Sequence, residues 1–148
     1  MLGLAGFINP GSLQAQDFQS RIYRAYIEEE MHDWKKVLEE MTERFEPTGD
    51  KVLLYELAEA EYGYIAYCLS VKNKKEAEWW LDTADEQIKV LLEWRENNPR
   101  IYALKGALLG LRIRLKPARV MKYGKLSAEA NEKALELGPN EVQAWMEK

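Results

Sequence analysis

Apolar residues recur at three- and four-residue steps along most of this chain, and strand-type alternation is scarce, so the pattern predicts helices separated by short polar breaks. The first helix is expected over residues 17–30, with Asp17 as its N-cap and Phe18, Ile22, Ala25 and Tyr26 on one face. The second, over 32–45, aligns Trp34, Val37, Leu38, Met41 and Phe45. So little chain separates the two that they must run antiparallel, as an αα-hairpin.

Residues 46–50, Glu-Pro-Thr-Gly-Asp, read as a turn, after which Asp50 caps a long helix to about residue 71. Its apolar stripe is Leu53, Leu57, Ala60, Tyr64, Tyr67, Cys68 and Val71. Asn73 caps a fourth helix, with Glu76 three residues on as the reciprocal partner of a capping box. That helix turns Ala77, Trp80, Leu81, Ala84, Ile88, Leu91 and Leu92 inward. Asn98-Pro99 starts a fifth, because proline fits the first helical position, where its missing N–H costs nothing. Pro117 is expected to end it, leaving 116–125 as a connection before a sixth helix over 126–137 that buries Leu126, Ala130, Ala134 and Leu137. Gly138 stops that helix and Asn140 caps a last short one.

At 148 residues, with apolar and charged fractions of 47% and 31%, the chain matches one soluble all-α domain. The net charge of −4 hides a polarity: residues 1–100 carry 12 basic against 20 acidic side chains, and 101–148 carry 9 against 5. Cys68 is the single cysteine, which excludes an intrachain disulfide and a cysteine metal cluster. Residues 1–16 hold an apolar run from Leu2 to Ile8, a Pro-Gly break and a small residue, Ala15, before a conceivable cut. They read either as a signal-peptide remnant, which places the protein in the periplasm or outside the cell, or as an apolar N-terminal arm of a cytoplasmic one. The run is too short for a membrane span, which needs about 20 apolar residues.

Three hairpins and a fragment, each ended by a turn with proline or glycine, form the signature of a helical solenoid. Ala134-Leu135-Glu136-Leu137-Gly138-Pro139-Asn140 followed by Trp145 resembles the boundary between two tetratricopeptide repeats, with Ala77, Leu81 and Ala84 matching the small-large-small spacing of a repeat's second helix. Gly63 and Tyr67 fall near the family's small and aromatic positions on the preceding helix. The chain departs from the family's period of about 34 residues: Pro47 to Pro99 spans 52 and Pro99 to Pro139 spans 40. The resemblance implies a stack of antiparallel helix hairpins over 17–148, ending in an incomplete repeat, as in an exported tetratricopeptide protein of a Gram-negative bacterium. It also implies a concave groove, lined by the first helix of each pair, that binds protein or peptide.

The candidate chemistry centres on 101–128, an interval without a single acidic residue that holds Lys105, Arg112, Arg114, Lys116, Arg119, Lys122 and Lys125, interleaved with Tyr102 and Tyr123. Tyr102, Lys105, Arg112, Arg119 and Lys122 are the expected peptide-binding residues, suited to an acidic partner through charge-assisted hydrogen bonds. The plainer alternative is a basic surface that pairs with the acidic half of the chain. Val142 and Trp145, on the unfinished last repeat, are the expected contacts of a homo-oligomer. Off-stripe Trp79, Trp94, Tyr55 and Tyr62 mark a groove or a subunit contact, whereas Trp34, Trp80, Tyr64 and Tyr67 belong to the core.

Catalysis has little to stand on. His32 is the lone histidine, at a helix start, and Cys68 lies on an apolar stripe where a thiol is a small hydrophobe. Gly106 and Gly110 read as small residues that let helices approach, and Glu28, Glu29, Glu30, Glu56, Glu59 and Glu61 as solvated faces without the loop spacing of a calcium site. No cofactor, metal, nucleic acid or catalytic residue is expected. The expected function is a non-enzymatic protein- or peptide-binding scaffold, ahead of a self-association module and of a small helical enzyme or ligand-binding domain.

Overall fold

The computed structural model describes residues 10–140, with side chains from Asp17 onward. Its described residues are all-helical: α1 (Pro10–Ile27), α2 (Met31–Thr48), α3 (Lys51–Ser70), α4 (Lys74–Trp94), α5 (Pro99–Leu115), a single 3₁₀ turn (Pro117–Arg119) and α6 (Val120–Leu137). The backbone is helical again at Pro139 and Asn140. Val142, Trp145 and residues 1–9 lie outside the described residues. By its internal packing the chain divides into two units, Met1–Ala60 and Glu61–Lys148, and the division falls inside α3.

In the first unit α1 packs on α2 as the expected hairpin. Phe18 and Ala25 of α1, and Trp34, Val37, Leu38 and Met41 of α2, are buried, whereas Tyr26, expected on the same face of α1, is 65% exposed. The helix starts at Pro10, so Asp17 lies within it and caps nothing. Its corner turns on Glu29, at φ 57°, so that the Glu30 N–H reaches back to the Ala25 carbonyl at 2.8 Å. Arg21 grips Glu40 through both guanidinium nitrogens, at 2.5 and 2.9 Å. Pro47, expected in a turn, is in the last turn of α2, and the helix ends instead at Gly49 in the left-handed conformation. Thr48 Oγ1, 3.2 Å from both the Arg44 and Phe45 carbonyls, supplies a donor where the helix runs out of N–H groups.

In the second unit the α3–α4 corner repeats the device, with Lys72 at φ 61° and the Asn73 N–H on the Cys68 carbonyl at 2.8 Å. Asn73 Oδ1 then accepts from the Glu76 N–H at 3.3 Å, and Asn98 Oδ1 accepts from the Arg100 and Ile101 N–H groups at 2.9 and 3.3 Å, so the two asparagine caps form as the sequence predicts. α5 packs against both α4 and α6. The expected connection over 116–125 is largely absent: Pro117 opens the 3₁₀ turn and α6 follows at once from Val120, six residues early. Leu126, expected inside, is consequently 37% exposed, while Ala130 and Ala134 are buried.

The α5–α6 crossing is made close by small residues. Ala103 and Ala134 pack together with Tyr102 against them, and Ser127 Oγ donates to the Gly106 carbonyl at 3.0 Å. A Cβ on Gly106 would collide with the Asn131 amide, whose Cγ would stand 2.9 Å away, whereas one on Gly110 would meet nothing within 4 Å. The two glycines therefore do different things. Gly110→Ala is expected to stabilise by about 0.5–1 kcal/mol through helix propensity alone, and Gly106→Ala to gain less, because the exposed Asn131 amide must swing aside. Urea denaturation of the two variants in parallel checks the order.

Candidate functional site

The basic interval begins on α5, where Tyr102, Lys105, Leu109 and Ile113 fall at three- and four-residue steps on one face and are all half-buried. This stripe is neither core nor fully solvated: it presents apolar area to the surface with a lysine among it. Arg112, at the edge of the same face, is withdrawn from solvent. Its side chain is only 8% exposed and its Nη2 lies 2.9 Å from Asp82 and 2.5 Å from Asp85 on α4. Lys116 continues the ladder, 2.8 Å from Glu78.

Burial works against the Arg112 charge, but Asp85 and Asp82 more than offset it and hold its pKa above the ordinary guanidinium value. Asp85 is pushed up by its own burial further than Arg112 draws it down. α5 is thus fastened to α4 by charge. The antiparallel register of the pairs 78/116 and 82/112 also explains which base is left over, because extending it brings Lys105 level with about residue 89, which is a lysine. Lys105 makes no ion pair among the described residues, and neither do Arg119 and Lys122. Arg119 is exposed on the 3₁₀ turn, three residues beyond Lys116; Lys122 is exposed on the first turn of α6, 5.6 Å from the Tyr123 ring centroid.

Of the five expected binding residues, Tyr102 and Lys105 share the α5 stripe, Arg112 bonds to α4, and Arg119 and Lys122 stand in solvent just past the end of α5. In sequence all seven bases look alike. What separates them is whether an acidic side chain sits opposite.

A second feature is an open depression of about 550 Å³ along the first turns of α4, lined by Asn73, Lys75, Glu76, Glu78, Trp79 and Asp82. Trp79 lies there 60% exposed, edge-on to the buried Trp80 with ring centroids 4.8 Å apart. Glu76 anchors the floor, accepting from Trp80 Nε1 at 3.2 Å and from the Tyr64 hydroxyl at 3.3 Å. Burial, then Cys68 and Glu76, push the Tyr64 phenol above its ordinary range, so it remains a donor.

The remaining candidates disperse. His32 is exposed at the start of α2, and Cys68 is buried beside Tyr64. No set of three or more His, Cys, Asp or Glu side chains among the described residues is arranged to hold a metal. No helix among them is long and apolar enough to cross a membrane. Glu28, Glu29 and Glu30 are exposed as expected of a solvated face, but Glu61 is completely buried on α3. Its helical position falls between Leu57 and Ile65, a signal available in the sequence and outweighed by the charge of the side chain. Comparison with protein-family models, with curated proteins and with solved structures returned no match for this chain.

Proposed function

We propose that this chain is a non-enzymatic scaffold of tetratricopeptide-like helix hairpins that binds protein or peptide segments along α5. The observation that supports this reading is the half-buried stripe Tyr102, Lys105, Leu109 and Ile113, which offers apolar contact area and one cation without an ion-pair partner among the described residues. Arg119 and Lys122, just beyond its end, add two further exposed cations, which favours a segment that is apolar along its length and acidic at one end. The small residues at the α5–α6 crossing are those that tetratricopeptide-like packing requires.

An array of immobilised peptides, graded in acidity and probed with the purified chain, tests the proposal. Selective retention of apolar peptides bearing acidic residues is expected, weakened at least tenfold by Lys105→Glu with Arg119→Glu while helix content stays unchanged. Retention that ignores acidity, or survives both substitutions, overturns it.

Self-association has an observation of its own. Tyr23, Tyr26 and Ile27, on one face of α1, are 66%, 65% and 58% exposed, an apolar patch of the kind that copies of a chain cover in one another. A mass in solution that rises with concentration, and falls to that of one chain in Tyr23→Ser with Ile27→Ser, supports this second reading.

A further inference from the structure

Glu61 has no solvent exposure, and its one hydrogen bond among the described residues is to Gln87 of α4, whose Nε2 donates to Glu61 Oε1 at 2.8 Å. Two acceptors beside this bond are buried and unpartnered: Glu61 Oε2 and Gln87 Oε1. An ionised carboxylate here would be a buried charge without a counter-charge, a situation that ordinarily drives a group to neutralise. An amide oxygen without a donor adds a second penalty. Both acceptors lack the same thing, one proton donor, and the carboxyl can be that donor. A carboxylic acid and a primary amide each offer one donor and one acceptor side by side, so the two groups can satisfy each other completely.

We propose that Glu61 is retained as the neutral acid and that its Oε2 proton closes a two-bond pair with Gln87, latching α3 to α4 until the carboxyl ionises. The proton comes from solvent and returns to it, and nothing else is exchanged. The charged groups nearest the pair in sequence on α3 and α4 have partners of their own. On α3, Glu59 accepts from Tyr55 and the Tyr64 hydroxyl turns to Glu76. On α4, Asp85 and Asp82 hold Arg112 of α5, and Glu86 holds Lys89. Burial pushes the Glu61 carboxyl up to about 8, with the Gln87 bond pulling the other way and no charged side chain among the described residues contributing.

The sign of the effect follows. Below the unfolded value of 4.5 both states hold the proton and the latch costs nothing. Between there and about 8 the unfolded chain releases the proton while the folded chain keeps it, so the folded-to-unfolded ratio falls by about tenfold per pH unit from this group. Above that range both states are ionised, the dependence levels off, and the pair with Gln87 is broken.

Glu61→Gln tests the latch, because an amide in this position pairs with Gln87 through the same two bonds and does not titrate. In the unaltered chain, infrared spectra at pH 7 are expected to contain a neutral-acid carbonyl band that moves on 13C-glutamate labelling. Urea denaturation between pH 5 and 8 is expected to favour Glu61→Gln over the unaltered chain by a factor that grows about tenfold per pH unit. The latch is overturned if the neutral-acid band is missing at pH 7, a result that stands even if the variant does not fold. It is equally overturned if the two stabilities run parallel with pH.

Discussion

Replacing Arg112 by glutamate is expected to remove about 3–5 kcal/mol of stability, the range for a charge left buried without a counter-charge. The substitution inserts a third carboxylate between Asp82 and Asp85 at a position whose side chain is 8% exposed, and Asp85 is already pushed up by burial with the guanidinium beside it. The two aspartates are 66% and 43% exposed, so water can reach them once the arginine is gone. For that reason Arg112→Met, which keeps the packed stem and removes only the charge, is expected to cost less, roughly 1–2 kcal/mol. Urea midpoints of the two variants and of the unaltered chain measure the differences, and an Arg112→Met variant within about 0.5 kcal/mol of the unaltered chain would show that the guanidinium fastens nothing. The consequence for function is direct. A partner lost on reversing Arg112 reports an unfolded α4–α5 pair, so the binding test belongs at Lys105 and Arg119.

The helices themselves are legible in the sequence because their burial period is regular and three of their starts carry capping side chains, at Asp50, Asn73 and Asn98. The boundaries that differ most are the starts of α1 and α6 and the two ends at the first hairpin, and the reasons are local. Proline both stops and starts helices: α5 ends at Leu115, ahead of Pro117, as expected, but Pro117 also begins the 3₁₀ turn that leads straight into α6, and Pro10 stands at the start of α1. Two of the corners turn on Glu29 and Lys72, which adopt the left-handed conformation that glycine ordinarily marks, so no glycine flags them. Pro47 is tolerated within the last turn of α2, where the lost N–H matters least and Gly49 ends the helix two residues on.

The candidate site was legible as a composition and not as a geometry. Seven bases without an intervening acid are visible in the sequence, yet Arg112 and Lys116 find acids 27 to 38 residues earlier, a pairing set by the register of α5 against α4. Glu61 illustrates the same limit from the other side. Its place on the apolar face of α3 is visible, but that it stays there depends on Gln87 lying opposite, 26 residues on.

Trp80→Ala is expected to have an effect of the same size, about 3–5 kcal/mol, by emptying the space of an indole that is 3% exposed. The ring lies edge-on to Tyr64, centroids 5.9 Å apart, and its Nε1 donates to Glu76, so the substitution removes packing area and a donor together. Trp80→Phe separates the two. It keeps most of the ring and leaves Glu76 the Tyr64 hydroxyl, so a loss of about 1–2 kcal/mol is expected from the missing N–H and the smaller volume. Trp79→Ala, next in the chain but 60% exposed, is expected to cost under about 1 kcal/mol. Chemical denaturation of the three variants, with near-ultraviolet circular dichroism to follow the aromatic cluster, orders them. Since single domains are stable by roughly 5–15 kcal/mol, Trp80→Ala removes about a fifth or more of the total. Should Trp79 and Trp80 prove equally dispensable, the α3–α4 packing would not depend on this cluster, and the floor beneath the α4 depression would have to be sought elsewhere.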